Sequence, residues 1–123
     1  MNADDFYRRV DARLPDTIEA DGRTITHELF SALAARLKPD EAAELGAELP
    51  EEIGDLLAPA HGDGTLSRDE LIEDLAARLD LDDDDAETGA IVVLSVVREA
   101  IEPTVEIEQV LESLPPDLAQ LMQ

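Results

Sequence analysis

The 123-residue chain has no cysteine and no tryptophan, one tyrosine and two phenylalanines. Those absences exclude disulfides, thiolate metal sites, thiol nucleophiles and a stacking platform for bases or sugars. Basic residues are scarce as well: 9 Lys plus Arg stand against 31 Asp plus Glu, a formal net charge of -22. Affinity for phosphate backbones and anionic lipid comes largely from Lys and Arg, so neither nucleic acid nor a membrane surface is expected as a partner. A membrane helix needs roughly 18 uncharged apolar residues in a row. The best run, Ala90 to Val97, is far shorter. The opening Met1-Asn2-Ala3-Asp4-Asp5 carries acids where a secretory signal carries bases. A soluble cytoplasmic protein is the expectation.

What is present is enough for a core. Hydrophobic residues make up 44% of the chain, too many for a disordered acidic segment. One domain spanning 1–123 is expected, because no Pro, Ser or Gly-rich linker divides the chain. Every base except Lys38 is an arginine. That balance resembles proteins adapted to molar salt, where the Debye length falls to about 3 Å and screens the repulsion between carboxylates. In dilute buffer the same charge should loosen the fold.

The chain reads as two copies of one unit, about 3–58 and about 66–122, at an offset near 65. Asp4 to Leu14 aligns with Asp69 to Leu79, matching Ala12-Arg13-Leu14 to Ala77-Arg78-Leu79. Leu49-Pro50 matches Leu114-Pro115, Ile53, Leu56 and Leu57 fall on Leu118, Leu121 and Met122, and Pro39 falls on Pro103 one residue out of step. Identities in the same order at punctuating positions indicate a tandem duplication.

Each copy parses into about four helices, so the fold class is all-α. In the first, Phe6, Tyr7, Val10 and Leu14 form a helical stripe that Pro15 stops. A second helix, about Thr24 to Leu37, buries Ile25, Leu29, Phe30, Leu33 and Leu37, with Thr24 or Thr26 available as its cap and Lys38-Pro39 as its end. A short helix follows from Asp40 to Leu49, and Pro50 opens another through Ile53, Leu56 and Leu57. The second copy differs in its long helix, about Asp83 to Glu102, apolar on every side from Ala90 to Val97. Valine and isoleucine favour strands, but the helical length and the acids Asp82 to Asp85 at its start favour a helix. A helix apolar all round is expected to be buried all round, as the central post of the domain.

With these elements laid out, the chain resembles the small all-helical proteins catalogued as domain of unknown function 2267. The residues that carry the likeness are Asp4-Asp5-Phe6-Tyr7-Arg8-Arg9-Val10 with Leu49-Pro50 through Leu57, and Leu66-Ser67-Arg68-Asp69-Glu70-Leu71 with Leu114-Pro115 through Met122. The resemblance covers nearly the whole chain. It implies a helical fold and no activity, substrate or catalytic residue.

Candidate sites are few. Gly62 to Leu71 resembles the second half of an EF-hand loop, with Asp63 inside it, Gly64 as the turn glycine, Thr65 as the carbonyl ligand and Glu70 as the closing carboxylate. Pro59 and His61 occupy the first and third ligand positions, so two hard donors are missing. The alternative is a hinge at Gly62 to Gly64 and a cap made by Ser67 with Glu70. The acids Asp80 and Asp82 to Asp85 offer hard-cation ligands, Asp82 and Asp84 among them, without a glycine turn to arrange a cage. No metal site and no cofactor is expected from these patterns. His27 and His61 have no partner at metal-binding spacing, and no nucleophile elbow, P-loop or dinucleotide fingerprint occurs. Arg13, Arg36 and Arg78 each precede a helix-ending leucine, as expected of structural ion pairs.

The expectation is a non-catalytic module that binds a protein partner. An acidic nucleic-acid mimic blocking a DNA-binding partner is one alternative, and a cation-dependent enzyme using surface carboxylates another. A homo-oligomer is compatible with the pattern, through the terminal residues Leu118, Leu121 and Met122.

Overall fold

The computed structural model describes residues 1–101 and 107–122, and every regular element among them is helical. The predicted Pro103 match and the end of the long helix at Glu102 lie outside the described residues.

Helix α1 (Ala3–Arg13) starts where the Asn2 side chain accepts the Asp5 N–H at 2.8 Å, and its buried stripe is Phe6, Tyr7 and Val10. Helix α2 (Gly22–Ala34) is capped by neither threonine. Asp21 Oδ1 accepts the Thr24 N–H at 2.7 Å, and Asp11 Oδ1, from α1, accepts the Gly22 N–H at 2.6 Å. A cap must precede the first turn to reach its amides; Thr24 already lies inside that turn. Thr26 is fully buried, and its hydroxyl finds no partner among the described residues.

Pro39 does not end α2. It opens α3 (Pro39–Ala47), where a proline loses no hydrogen bond. Glu41 Oε1 reaches back to the Lys38 N–H at 3.0 Å. Pro50 stands one residue before α4 (Glu51–Gly54), which tightens into a 3-10 turn, Asp55–Leu57. Helix α5 (Arg68–Leu79) begins at Ser67, whose Oγ accepts the Glu70 N–H at 3.5 Å. It ends at Asp80, in the left-handed region at φ 54°. Helices α6 (Asp83–Ile101), α7 (Ile107–Ser113) and α8 (Pro116–Leu121) complete the order.

Helices α2 and α6 form the middle of the molecule, with α1 and α5 each touching both. Buried side chains from Ala3 to Met122 form one continuous cluster. Leu118, Leu121 and Met122 belong to it, so the apolar edge at the C-terminus is covered within the chain. The long helix is not buried all round. Ala86, Ala90, Val93, Leu94 and Val97 are buried, but Ile91 is 42% exposed and Val92 half-buried. The packing of α1, α2, α5 and α8 around α6 leaves a strip of its circumference open to solvent.

The segment between the two runs of helices is a strap, and not a hinge. The N–H groups of His61, Gly62 and Gly64 donate to the carbonyls of Ala34, Leu37 and Arg36 at 3.0, 2.9 and 2.9 Å. These are carbonyls at the end of α2 that a helix cannot satisfy itself. Gly62 lies so close to the Arg36 backbone that a Cβ would overlap it, and Gly64 turns with φ +88°.

Candidate functional site

Helices α3 and α4 meet at two glycines. A Cβ on Gly54 would overlap the Gly46 carbonyl oxygen, so only hydrogen at that position permits the approach. Because the lining residues are small, the meeting leaves a groove of about 440 Å³ along Pro39, Ala42, Ala43, Gly46 and Ala47 on one wall and Gly54, Leu57 and Ala58 on the other. Ala43 and Ala47 are exposed at its mouth. Its charged lining is Glu51 and Asp55. No Lys or Arg occurs from Pro39 to Ser67.

Of the carboxylates singled out in the sequence, those of Asp63 and Asp82 are engaged in local turns. Asp63 Oδ1 accepts the Thr65 N–H at 2.9 Å, and that backbone bond holds the Asp63 carboxyl below its ordinary range. Glu70 lies in the first turn of α5. Asp82 Oδ1 accepts the Asp85 N–H at 2.8 Å, opening α6, and the Asp84 carbonyl accepts the Thr88 hydroxyl at 3.0 Å. Among the described residues no three His, Cys, Asp or Glu side chains gather as a metal-holding group. Neither the loop holding Asp63, Thr65 and Glu70 nor the run holding Asp82 and Asp84 forms such a group.

The three arginines expected before helix-ending leucines all form ion pairs to another element, although α2 ends at Ala34 and Arg36 and Leu37 lie past it. Arg13 on α1 holds Glu99 on α6 and reaches Ser95 Oγ at 3.1 Å. Its hydrogen bond keeps the Glu99 carboxyl below the usual range and raises the guanidinium in turn. Arg36 meets Asp74 at 2.7 Å, and Arg78 meets the same carboxylate at 3.0 Å and Glu28 at 3.8 Å. Burial pushes Asp74 up, but the bonds from Arg36 and Arg78 outweigh it, and the carboxyl sits below its ordinary range.

Two features escape sequence reading. The Tyr7 hydroxyl and His27 Nε2 are 2.9 Å apart, with Arg23 lying 5.2 Å over the phenol ring. Burial raises the Tyr7 pKa, against the pull of Arg23. Tyr7 and His27 are both visible in the sequence, but they stand on different helices, and periodicity does not pair helices. The other feature is the Gly46–Gly54 contact. A glycine inside a helix costs about 1 kcal/mol relative to alanine and so asks for a packing reason; two of them on successive short helices were the available signal.

No helix among the described residues is long and apolar enough to cross a membrane. No curated protein and no solved structure matches the chain. One family does match, over residues 3–121, and the chain belongs to it: the uncharacterized conserved protein family DUF2267.

Proposed function

We propose that this protein is a haloadapted, cytoplasmic, non-catalytic module that binds another protein, built from two tandem copies of one helical unit as a single domain. The observation that carries the interaction reading is the open groove between α3 and α4, with apolar walls that are mostly Ala and Gly beside Leu49 and Leu57, and three exposed alanines, Ala43, Ala47 and Ala58. Such a concavity lacks the convergent polar donors that orient a small substrate, and it suits side chains of a partner.

The order of elements supports the duplication. Helices α1 to α4 with the 3-10 turn are followed by α5 to α8 in a corresponding series. A second cavity lies between α7 and α8, lined by Glu108, Leu111, Glu112 and Ala119. At the offset of 65 these are the counterparts of Ala43, Gly46, Ala47 and Gly54 in the first groove. Haloadaptation is supported by the charge of -22 with a single lysine.

Site-specific photo-crosslinking tests the reading. A photoreactive residue at Ala43 or Ala47, in a halophilic lysate at molar KCl, should give a discrete protein adduct that the same residue at Asp16 does not give. Equal labelling at all three positions, or none with the fold intact, would count against it.

A further inference from the structure

We infer that the α3/α4 groove receives a cationic amphipathic helix of the partner, its aliphatic side chains in the groove and its Lys or Arg side chains on the acidic rim. The inference rests on the interaction reading above and names the chemistry of that partner.

Charge on this protein is acidic overall but unevenly answered. Bases are found on α1, α2, α5 and α6 and on the residues just after α2. There they meet acids across helix boundaries, as in Arg36–Asp74, Arg68–Glu87 and Arg13–Glu99. Helices α3 and α4 with the 3-10 turn hold no base at all, while Glu51 and Asp55 line the groove and Asp40 and Glu44 are exposed elsewhere on α3. The face is thus an apolar trough in a carboxylate rim.

The trough follows the length of α3, because Pro39, Ala42, Ala43, Gly46 and Ala47 recur at helical spacing. A row of small residues lets the ridge of another helix settle against the backbone. In the α7/α8 counterpart Leu111 replaces the glycine and Glu108 and Glu112 replace the alanines, so only the first groove keeps small residues at all of these positions.

Molar salt does not remove the argument. With a Debye length of about 3 Å, long-range attraction vanishes and only ion pairs in direct contact remain. Burial of aliphatic side chains then supplies the affinity. The rim acts as a selector, since an acidic helix would leave like charges face to face.

The test uses the full chain at molar KCl and a labelled helical peptide with one Leu/Ala face flanked by Lys. Fluorescence anisotropy should give saturable binding, weakened about tenfold or more by Ala47→Arg, a factor equal to about 1.4 kcal/mol. Ala43→Arg should act alike, and circular dichroism confirms that each exposed-site variant folds. The same peptide with Glu for Lys should not bind. Equal binding of the Glu peptide, or of the Lys peptide to both variants, overturns the inference. So does a homodimer that Ala47→Arg converts to monomer. If the Lys peptide fails while Ala43 and Ala47 still crosslink a protein, the partner class is wrong and the interaction reading stands. If both fail, both fall.

Discussion

Arg36, just past the end of α2, and Asp74, in the middle of α5, are joined by a 2.7 Å ion pair that ties the first run of helices to the second. Both side chains are mostly shielded from solvent, and Arg78 holds the other carboxylate oxygen at 3.0 Å. Asp74→Asn should therefore cost about 1–2 kcal/mol, between the values for exposed and for buried pairs. Urea unfolding at molar KCl and neutral pH measures it. A loss within experimental error would show that the pair adds nothing.

The same carboxyl sets a pH dependence. Its folded pKa lies below the unfolded value, so its stabilisation is present above the ordinary aspartate range, about 3.9, and is lost as pH falls through the lower folded pKa. The stability difference between wild type and Asp74→Asn should shrink below about pH 4. Taking the difference cancels the relief of repulsion among the other acids. A difference that grows on acidification contradicts this.

Asp21 and Thr24 separate the real cap of α2 from the expected one. Asp21→Ala should cost about 1 kcal/mol, the usual loss for a cap, whereas Thr24→Ala, which keeps the backbone N–H and loses only the hydroxyl contact to Asp21, should cost less. The Thr24 amide holds the Asp21 carboxyl below its ordinary range, so the cost of Asp21→Ala should also fade in acid. Thermal melts of the two variants decide it.

The strap beneath α2 has no room for a methyl group. Gly62→Ala should destabilise by about 2–3 kcal/mol, as overpacking does in a tight site, because Arg36 backbone atoms occupy the new Cβ position. The neighbouring His61→Ala keeps its N–H bond to Ala34 and should change little. Amide hydrogen exchange at His61, Gly62 and Gly64 should rise in the glycine variant. Unchanged protection would mean that the strap is not held as described.

Charge makes the last prediction. At -22, helicity should grow with KCl and fall in dilute buffer as carboxylates repel one another. Circular dichroism across a KCl series checks it, and full helicity in dilute buffer would end the haloadaptation reading.

Much of the local structure was legible from pattern. The α1 stripe of Phe6, Tyr7 and Val10, the start of α5 at Ser67 and the helical choice for Ala90 to Val97 follow from periodicity and punctuation. Reading failed at the start of α2, where Thr24 or Thr26 was expected as the cap and Asp21 holds that position. It failed again at Ile91, because an apolar residue on a long helix does not say how many neighbours surround that helix. The groove was illegible for the same reason: Gly46 and Gly54 gain meaning only when α3 and α4 touch.

The sequence by itself determined the helical class, the excess of carboxylates, the absence of thiol and stacking chemistry, and the family pattern. Each follows from composition or from spacing along one element. Tertiary structure alone decided that Gly62 to Gly64 straps α2, that Arg36 and Arg78 share Asp74, that Ile91 meets solvent, and that two glycines open a groove beneath an acidic rim. Those facts depend on contacts between residues distant in the chain, and a periodic pattern specifies which face of a helix is apolar without specifying what covers it.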